Sequence, residues 1–253
     1  IENMPSSYNN YYEPFLGGGA LLFNVKPNKA FVNDVNRQLI NLYRQLKTAG
    51  NSVVEKILEM DSILCSKEIY YEIREKYNKK ILAEEFDVDC AAFMVWINKH
   101  CFNGLYRVNK KGLFNVPYNN KLNGKSIDEK NAFAMSEYLN SSDISISCTD
   151  FEKACEGVKK GDFVYFDSPY VPESETASFT SYTEGGFSKE DHERLAVLFK
   201  KLDGIGAKIM LSNNDVSFIR FLYSGYNIKS IDVKRMINRN ANKRTGKEVL
   251  ITN

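Results

Sequence analysis

The chain has 253 residues, 43% of them hydrophobic and 26% charged, with a formal net charge of +2 at pH 7. Those proportions suit one large globular domain, or one domain carrying a sizeable insertion, and exclude wholesale disorder. The longest unbroken apolar run, Ala91–Ile97, is far too short to span a bilayer, and no charged-then-apolar leader signals secretion.

In chain order, Tyr11–Leu16 reads as a strand, followed by Gly17-Gly18-Gly19 and the short apolar run Ala20–Phe23. A second strand, Ala30–Asn33, ends at Asp34. Leu39, Ile40, Tyr43 and Leu46 then set a helical period, with two further helices near Val53–Ser62 and Ser66–Asn78. Ala91–Cys101 has the pattern of a buried helix, which makes Trp96 a core residue. Leu105–Pro117 is polar and basic, with Lys111-Gly112 between strand-like flanks, and predicts a hairpin. A helix over Ile127–Leu139 follows. The strands Ile144–Ser147, Phe163–Phe166, Lys208–Leu211 and Asn227–Ile231 then alternate with helices, notably Lys189–Leu202 and Asp215–Tyr223. Asn238–Gly246 reads as a long turn before a last strand, Glu248–Thr252, which would give an antiparallel pair at one edge. Strands separated by helices predict an α/β fold with a mostly parallel sheet. The expected division is an α/β domain formed by residues 1–51 and 141–253, interrupted by a helical and hairpin insertion over residues 52–140.

Five cysteines (Cys65, Cys90, Cys101, Cys148, Cys155) contain no C-x-x-C spacing, and only His100 and His192 stand beside them. No metal site or disulfide framework is expected, a reducing cytoplasmic setting fits, and the histidines read as ordinary polar residues. Charge is unevenly spread. Cys90–Ile127 contains no acid but Lys99, Arg107, Lys110, Lys111, Lys121 and Lys125. Val233–Lys247 likewise contains no acid but Lys234, Arg235, Arg239, Lys243, Arg244 and Lys247. Two basic islands on an otherwise acidic chain suit a polyanion met at two places, although two solvated loops would look the same.

Two segments carry chemistry. The glycine turn after the first strand, in Tyr12-Glu13-Pro14-Phe15-Leu16-Gly17-Gly18-Gly19-Ala20, is where an α/β sheet holds a nucleotide-like ligand, with Asp34 placed to take ribose hydroxyls. It is neither G-x-G-x-x-G nor a P-loop, and three glycines also make a plain turn. Asp167-Ser168-Pro169-Tyr170 closes the apolar strand Phe163–Phe166, so its Asp lies at the carboxyl end of a buried strand, where an amino group could donate to it. A proline-closed turn with a packed tyrosine is the other reading.

Together these segments resemble the Dam-type DNA adenine-N6 methyltransferases. The matching stretches are Tyr12–Leu21, Val32-Asn33-Asp34, Phe102–Arg107, Phe114–Tyr118, Gly161–Tyr170, Phe179–Tyr182 and Leu211-Ser212-Asn213, in the family's order. The resemblance implies a Rossmann-like methyltransferase sheet with helices on both faces, plus an inserted DNA-recognition domain. It implies S-adenosylmethionine as cofactor, without metal, and double-stranded DNA as partner, with GATC as the site. Glu13, Pro14, Phe15, Gly17, Gly19, Asp34, Asp150, Phe151 and Asp167 would hold the cofactor, Asp150 and Phe151 at its adenine. Asp167, Ser168, Pro169 and Tyr170 would be catalytic. Arg107, Asn109, Lys110, Lys111 and Pro117 would read or wedge the duplex, and Arg235, Arg239, Lys243 and Arg244 would grip phosphates. The loop Ser174–Phe187 would close over the flipped base. A restriction endonuclease would be a genetic partner only, and the setting a bacterial or phage-infected cell. The rival readings are an RNA or protein amino-methyltransferase, or a weakened, DNA-binding homologue.

Two departures stand out. The family's N-terminal Gly-Gly-Lys segment is not found ahead of Ile1, and Ser168 replaces the first proline of the usual Asp-Pro-Pro-Tyr. Without that proline Asp167 escapes the pre-proline restriction, so the loop reads as a loosened form of the motif.

Overall fold

The computed structural model describes residues 1–121, 124–172, 186–234 and 245–253. In chain order the elements are β1 (Tyr11–Glu13), α1 (Ala20–Val25), β2 (Lys29–Asn33), α2 (Arg37–Asp61), α3 (Lys67–Leu82), α4 (Val88–His100), α5 (Glu129–Ser141) and β3 (Asp143–Ser147). The series continues with α6 (Phe151–Ala154), β4 (Phe163–Phe166), α7 (Lys189–Ile205), β5 (Lys208–Asn214), α8 (Ser217–Leu222), β6 (Asn227–Lys234) and β7 (Thr245–Thr252). They fall into two compact units. One comprises Ile1–Asn33, Thr149–Thr180 and Phe187–Asn253, and the other Asp34–Cys148 with Ser181–Gly186. Residues 51 and 52, where the sequence division was drawn, lie within α2, just past its kink at Ala49.

In the first unit β1 pairs in parallel with β2 and β4, and β4 with β5. β7 runs antiparallel to both β5 and β6, the edge pair expected from the sequence. Six strands therefore follow in the order β2-β1-β4-β5-β7-β6. Successive side chains of a strand point to opposite faces. Tyr12 of β1, Val164 and Phe166 of β4, Ile209 and Leu211 of β5, and Val249 and Ile251 of β7 all enter one apolar cluster. Leu195, Leu198, Phe199 and Leu202 of α7 fill it from the helix side, at the i, i+3, i+4, i+7 spacing of an amphipathic helix. Ser188 caps α7, accepting from the Asp191 N–H at 3.1 Å while the Asp191 carboxylate accepts from Ser188 N at 2.9 Å, a reciprocal capping box.

The second unit is mainly helical. α4 is apolar around much of its circumference, so it lies at the centre, packed by α2 and α3, with Trp96 fully buried as expected. The two helices suggested by the sequence are the two arms of α2, on either side of one non-helical residue. The break in periodicity is a kink at Ala49 (φ −144°), beside which the Leu46 carbonyl accepts from Ser136 Oγ of α5 at 2.7 Å. A Cβ at Gly50 would collide with that serine, so glycine lets the two helices approach. Both histidines, read from the sequence as ordinary polar residues, are buried. Desolvation among Phe187 and Phe218 pushes His192 down to about 4, which keeps it neutral.

Phe199 is wholly buried and faces Tyr223 and Tyr226. Phe199→Ala should cost about 3–5 kcal/mol in urea-induced unfolding, the range for emptying a buried aromatic site. A loss below about 1 kcal/mol would show that the cluster closes around the gap.

Candidate active site and basic hairpin

β1 is shorter than the sequence suggested because Pro14 has no N–H with which to continue the ladder. The chain instead turns. Leu16 N donates to the Asn33 carbonyl at 2.8 Å and Gly19 N to the Leu16 carbonyl at 2.7 Å. Gly17 (φ +48°) and Gly19 (φ +64°) adopt left-handed backbone, and a Cβ at Gly17 would meet nothing within 4 Å, so the turn is open at that point. Asn33 Nδ2 donates to the Pro14 carbonyl at 3.0 Å and ties the turn to the end of β2. Asp34, the next residue, belongs to the second unit. It is buried, and its Oδ1 accepts from Asn36 N at 2.9 Å.

The Phe15 ring leaves the turn to lie 5.3 Å from Phe151 and 5.6 Å from Phe187. Phe151 is a core residue with the Arg194 guanidinium 4.8 Å over its ring. Asp150 caps α6, its Oδ1 accepting from Glu152 N at 2.9 Å and from Arg194 at 3.0 Å.

At the end of β4 the side-chain parity reverses the chemistry. Val164 and Phe166 face the apolar cluster, so Tyr165 and Asp167 face the other side, as do Glu13 on β1, Ser212 on β5 and Glu248 on β7. There, Ser212 Oγ donates to Asp167 Oδ1 at 2.7 Å, and the Tyr165 hydroxyl lies 3.1 Å from Ser212 Oγ. The Tyr170 hydroxyl lies 3.2 Å from Asp167 Oδ1 and 3.4 Å from Glu248 Oε2.

The carboxyl end of β5 also holds the backbone of this loop. Asn213 Oδ1 accepts from Val171 N at 3.0 Å, Asn213 Nδ2 donates to Ser168 Oγ at 3.3 Å, and Asn214 Nδ2 donates to the Val171 carbonyl at 2.7 Å. Ser168 and Asn213 are 1% and 0% exposed. The loosened loop expected from Ser168 is therefore corrected: the serine hydroxyl is an acceptor for a buried amide, and β5 supplies the restraint that proline would have supplied. Ser212, Asn213 and Asn214 were visible in the sequence only as a matching stretch at a strand end. Tyr165 and Glu248 carried no signal, because each depends on the register of its strand.

Burial pushes the Glu13 carboxyl up to about 8; the nearby Asp167 charge raises it further, while the Tyr11 hydroxyl (2.8 Å) and the Leu22 N–H oppose the shift. The Tyr165 and Tyr170 hydroxyls are raised well beyond the ordinary phenol value, first by burial and then by Asp167, so both remain proton donors.

The hairpin is a tight turn. Val108 bridges Phe114 in antiparallel fashion, Asn109 N donates to the Leu113 carbonyl at 2.9 Å, and Gly112 takes φ +70°. Asn109 Oδ1 accepts from both Lys111 N and Leu113 N, so that oxygen builds the turn and only its amide NH₂ remains for a ligand. Arg107 Nε donates to Asn115 Oδ1 at 2.7 Å, while Lys110, Lys111 and Pro117 are exposed. Arg235, Arg239, Lys243 and Arg244 lie outside the described residues, as does most of the expected closing loop.

A family model described as D12 class N6 adenine-specific DNA methyltransferase matches residues 1–237. The chain is similar to the Type II methyltransferase M1.LlaDCHI of Lactococcus lactis subsp. cremoris, 44% identical over 99% of this chain and 88% of the relative. It is 41% identical to the Type II methyltransferase M.MjaIII of Methanocaldococcus jannaschii, over 96% of this chain and 89% of that one. A DNA adenine methylase of Vibrio cholerae is 30% identical over 90% of this chain and 80% of its own length.

Two outcomes are expected. Glu13 binds its proton more tightly in the fold than in the unfolded chain, so between about 4.5 and about 8 the folded state holds more protons and stability falls as pH rises. Thermal unfolding at pH 5, 7 and 9 should show this slope, and Glu13→Gln should flatten it. Ser168→Pro would leave Asn213 Nδ2 buried without its acceptor, at a cost of about 1–3 kcal/mol. Turnover should fall; faster methylation by the proline variant would show that backbone stiffness matters more than the amide bond.

Proposed function

The chain belongs to the D12 class of N6 adenine-specific DNA methyltransferases, and we propose that it transfers the methyl group of S-adenosylmethionine to the amino group of a flipped adenine, within GATC. Its mixed α/β fold is the Rossmann-like methyltransferase fold. The observation that carries the catalytic reading is the cluster at the carboxyl ends of β1, β4 and β5, beside Glu248 of the antiparallel β7, where Asp167 stands exposed among hydrogen-bond donors.

The residues present fit the cofactor. The left-handed glycine turn leaves open space beside the backbone, and Asp167 and Glu248 give the site the acidic character that suits a cationic ligand, with Glu13 protonated beside them. When bound, S-adenosylmethionine supplies a methyl group on a positively charged sulfur. Glu13, Pro14, Phe15, Gly17, Gly19 and Asp34 would line its place, and Asp150 Oδ2, with no partner among the described residues, would receive its adenine amino group beside Phe151.

The adenine amino nitrogen is a poor nucleophile because its lone pair is delocalised into the ring. Acceptors at Asp167 and at the Ser168 carbonyl would draw on its two hydrogens and localise that pair. Gaining the methyl group would leave the electron pair of the broken carbon–sulfur bond on the cofactor's sulfur, now a neutral thioether, and the nitrogen would shed one proton, for which the Asp167 carboxylate is the nearby acceptor. Most of the rate then comes from alignment. Inside a duplex the base is out of reach, so flipping adds a cost of about a few kcal/mol, met in part by stacking on Tyr170.

In this reading residues 1–51 and 141–253 bind cofactor and perform the transfer, and residues 52–140 recognise DNA. Lys110, Lys111 and Arg107 of the hairpin would meet the duplex, the lysines freely and Arg107 by exchanging Asn115 for a base edge. Similarity to Type II methyltransferases supports a genetic pairing with a restriction endonuclease.

Transfer of a labelled methyl group to duplexes with and without GATC tests the assignment. Incorporation into the amino group of adenine is expected only with the site; preferential labelling of RNA or protein would replace this reading. Asp167→Ala should abolish transfer while the fold survives, and near-normal turnover would place the chemistry elsewhere. Lys111→Ala should relax sequence choice with a small loss of affinity. An equal loss on all duplexes would make the lysine a phosphate contact only.

A further inference from the structure

We propose that Ser212 is a positioning residue for the methyl transfer: backed by Tyr165, it anchors one oxygen of the Asp167 carboxylate and leaves the other as the oxygen that meets the adenine amino group. The inference rests on the reading of Asp167 given above and extends it to the strand beside it.

Proton counting fixes the direction of the chain. A carboxylate has no hydrogen to give, so in the 2.7 Å contact Ser212 donates its single proton to Asp167 Oδ1. Ser212 Oγ is then an acceptor toward Tyr165 at 3.1 Å, and the phenol, held protonated by burial, is the donor. Tyr165 to Ser212 to Asp167 is thus a one-way chain of hydroxyls ending on Oδ1. Tyr170 also reaches Oδ1, at 3.2 Å, but its one proton is shared with Glu248, so this second donor is divided.

Among the described residues, no donor reaches Oδ2. The carboxylate is therefore split into an oxygen with its lone pairs engaged and an oxygen with its lone pairs available. An amino group approaching Asp167 finds its acceptor already chosen and the rotamer already set, which is the kind of preorganisation that speeds a reaction limited by alignment. Tyr170, the residue expected to stack on the base, is free to give up its bond to Oδ1 when the base arrives. Ser212 then remains as the fixed anchor.

The structure also separates this role from loop support. Asn213 and Asn214 hold the backbone through Val171 and Ser168, whereas the Ser212 hydroxyl meets the Asp167 carboxylate and the Tyr165 hydroxyl. The groups facing Asp167 are Glu13 from β1, Tyr165 from β4, Tyr170 from its own loop, Ser212 from β5 and Glu248 from β7.

The test uses the full chain and compares Ser212→Ala, Ser212→Thr, Tyr165→Phe and Asp167→Ala. Turnover, KM for duplex, cofactor affinity and thermal midpoint are measured for each. Ser212→Ala should lower turnover about tenfold to a hundredfold, the range for a hydrogen bond to a charged group. Its duplex KM, cofactor affinity and thermal midpoint should stay close to the parent's. Ser212→Thr, which retains the hydroxyl, should restore turnover, and Tyr165→Phe should lower it by less than Ser212→Ala.

Unchanged turnover in Ser212→Ala would overturn the proposal. So would a loss that tracks the thermal midpoint and is not rescued by Ser212→Thr, since that is what a purely structural serine gives. If Ser212→Ala fails to fold, Tyr165→Phe decides, because it keeps Ser212 in place: turnover equal to the parent's would overturn the relay. Activity remaining in Asp167→Ala would instead sink the catalytic reading beneath it, whereas an inactive Asp167→Ala beside a normal Ser212→Ala would sink only the role of Ser212.

Discussion

The two-residue alternation of β-strands, locked by register, is the constraint on which this site depends. Phe166 pairs with Leu211, and both point into the apolar cluster. One step along each strand, Asp167 and Ser212 must then point together to the opposite face. The same parity sends Glu13 and Glu248 to that face from β1 and β7. A slip of one residue in any of these strands would bury a carboxylate among Leu195, Phe199 and Ile251 and expose core residues in its place. The hydrophobic effect that closes the sheet on α7 is therefore also what aims the polar groups.

The cost of gathering acids on one face appears in Glu13. Its burial and the neighbouring Asp167 make a second charge unfavourable, so near neutrality the site resolves into one exposed carboxylate and one buried carboxyl that holds its proton. Tyr11, Tyr165 and Tyr170 share the strain: each hydroxyl is kept as a donor by burial, and each ends on an acid or on the serine that serves one. A cation placed among these groups would relieve the repulsion, which is why the acidic face suits a positively charged cofactor better than an anionic one.

Rigidity at the loop comes from β5 instead of proline. In Asp-Ser-Pro-Tyr the serine gives up a backbone restraint and gains a side-chain acceptor, and Asn213 uses it while also receiving the Val171 N–H. The exchange illustrates how a departure from a family motif has to be judged with its neighbours. Local rules described the freedom lost or gained at Asp167, but the compensating amide lies 45 residues away.

The sequence by itself determined much of this protein: the alternation of strands and helices, the antiparallel edge formed by β6 and β7, the glycine turn, the Asp at a strand end, the buried Trp96 and the Lys111-Gly112 hairpin. Each follows from local periodicity, from backbone freedom at glycine or proline, or from a short motif, all of which are written in contiguous residues. Tertiary structure decided the rest. Only packing could place Ser136 of α5 against the Leu46 carbonyl beside the kink of α2. Packing also gave Asp150, already a local helix cap, the Arg194 guanidinium, and buried both histidines. Above all it brought Tyr165, Ser212 and Glu248 to Asp167. No local pattern encodes that meeting, because it depends on three strand registers at once, and register is fixed only when the apolar faces of the strands close on a common core.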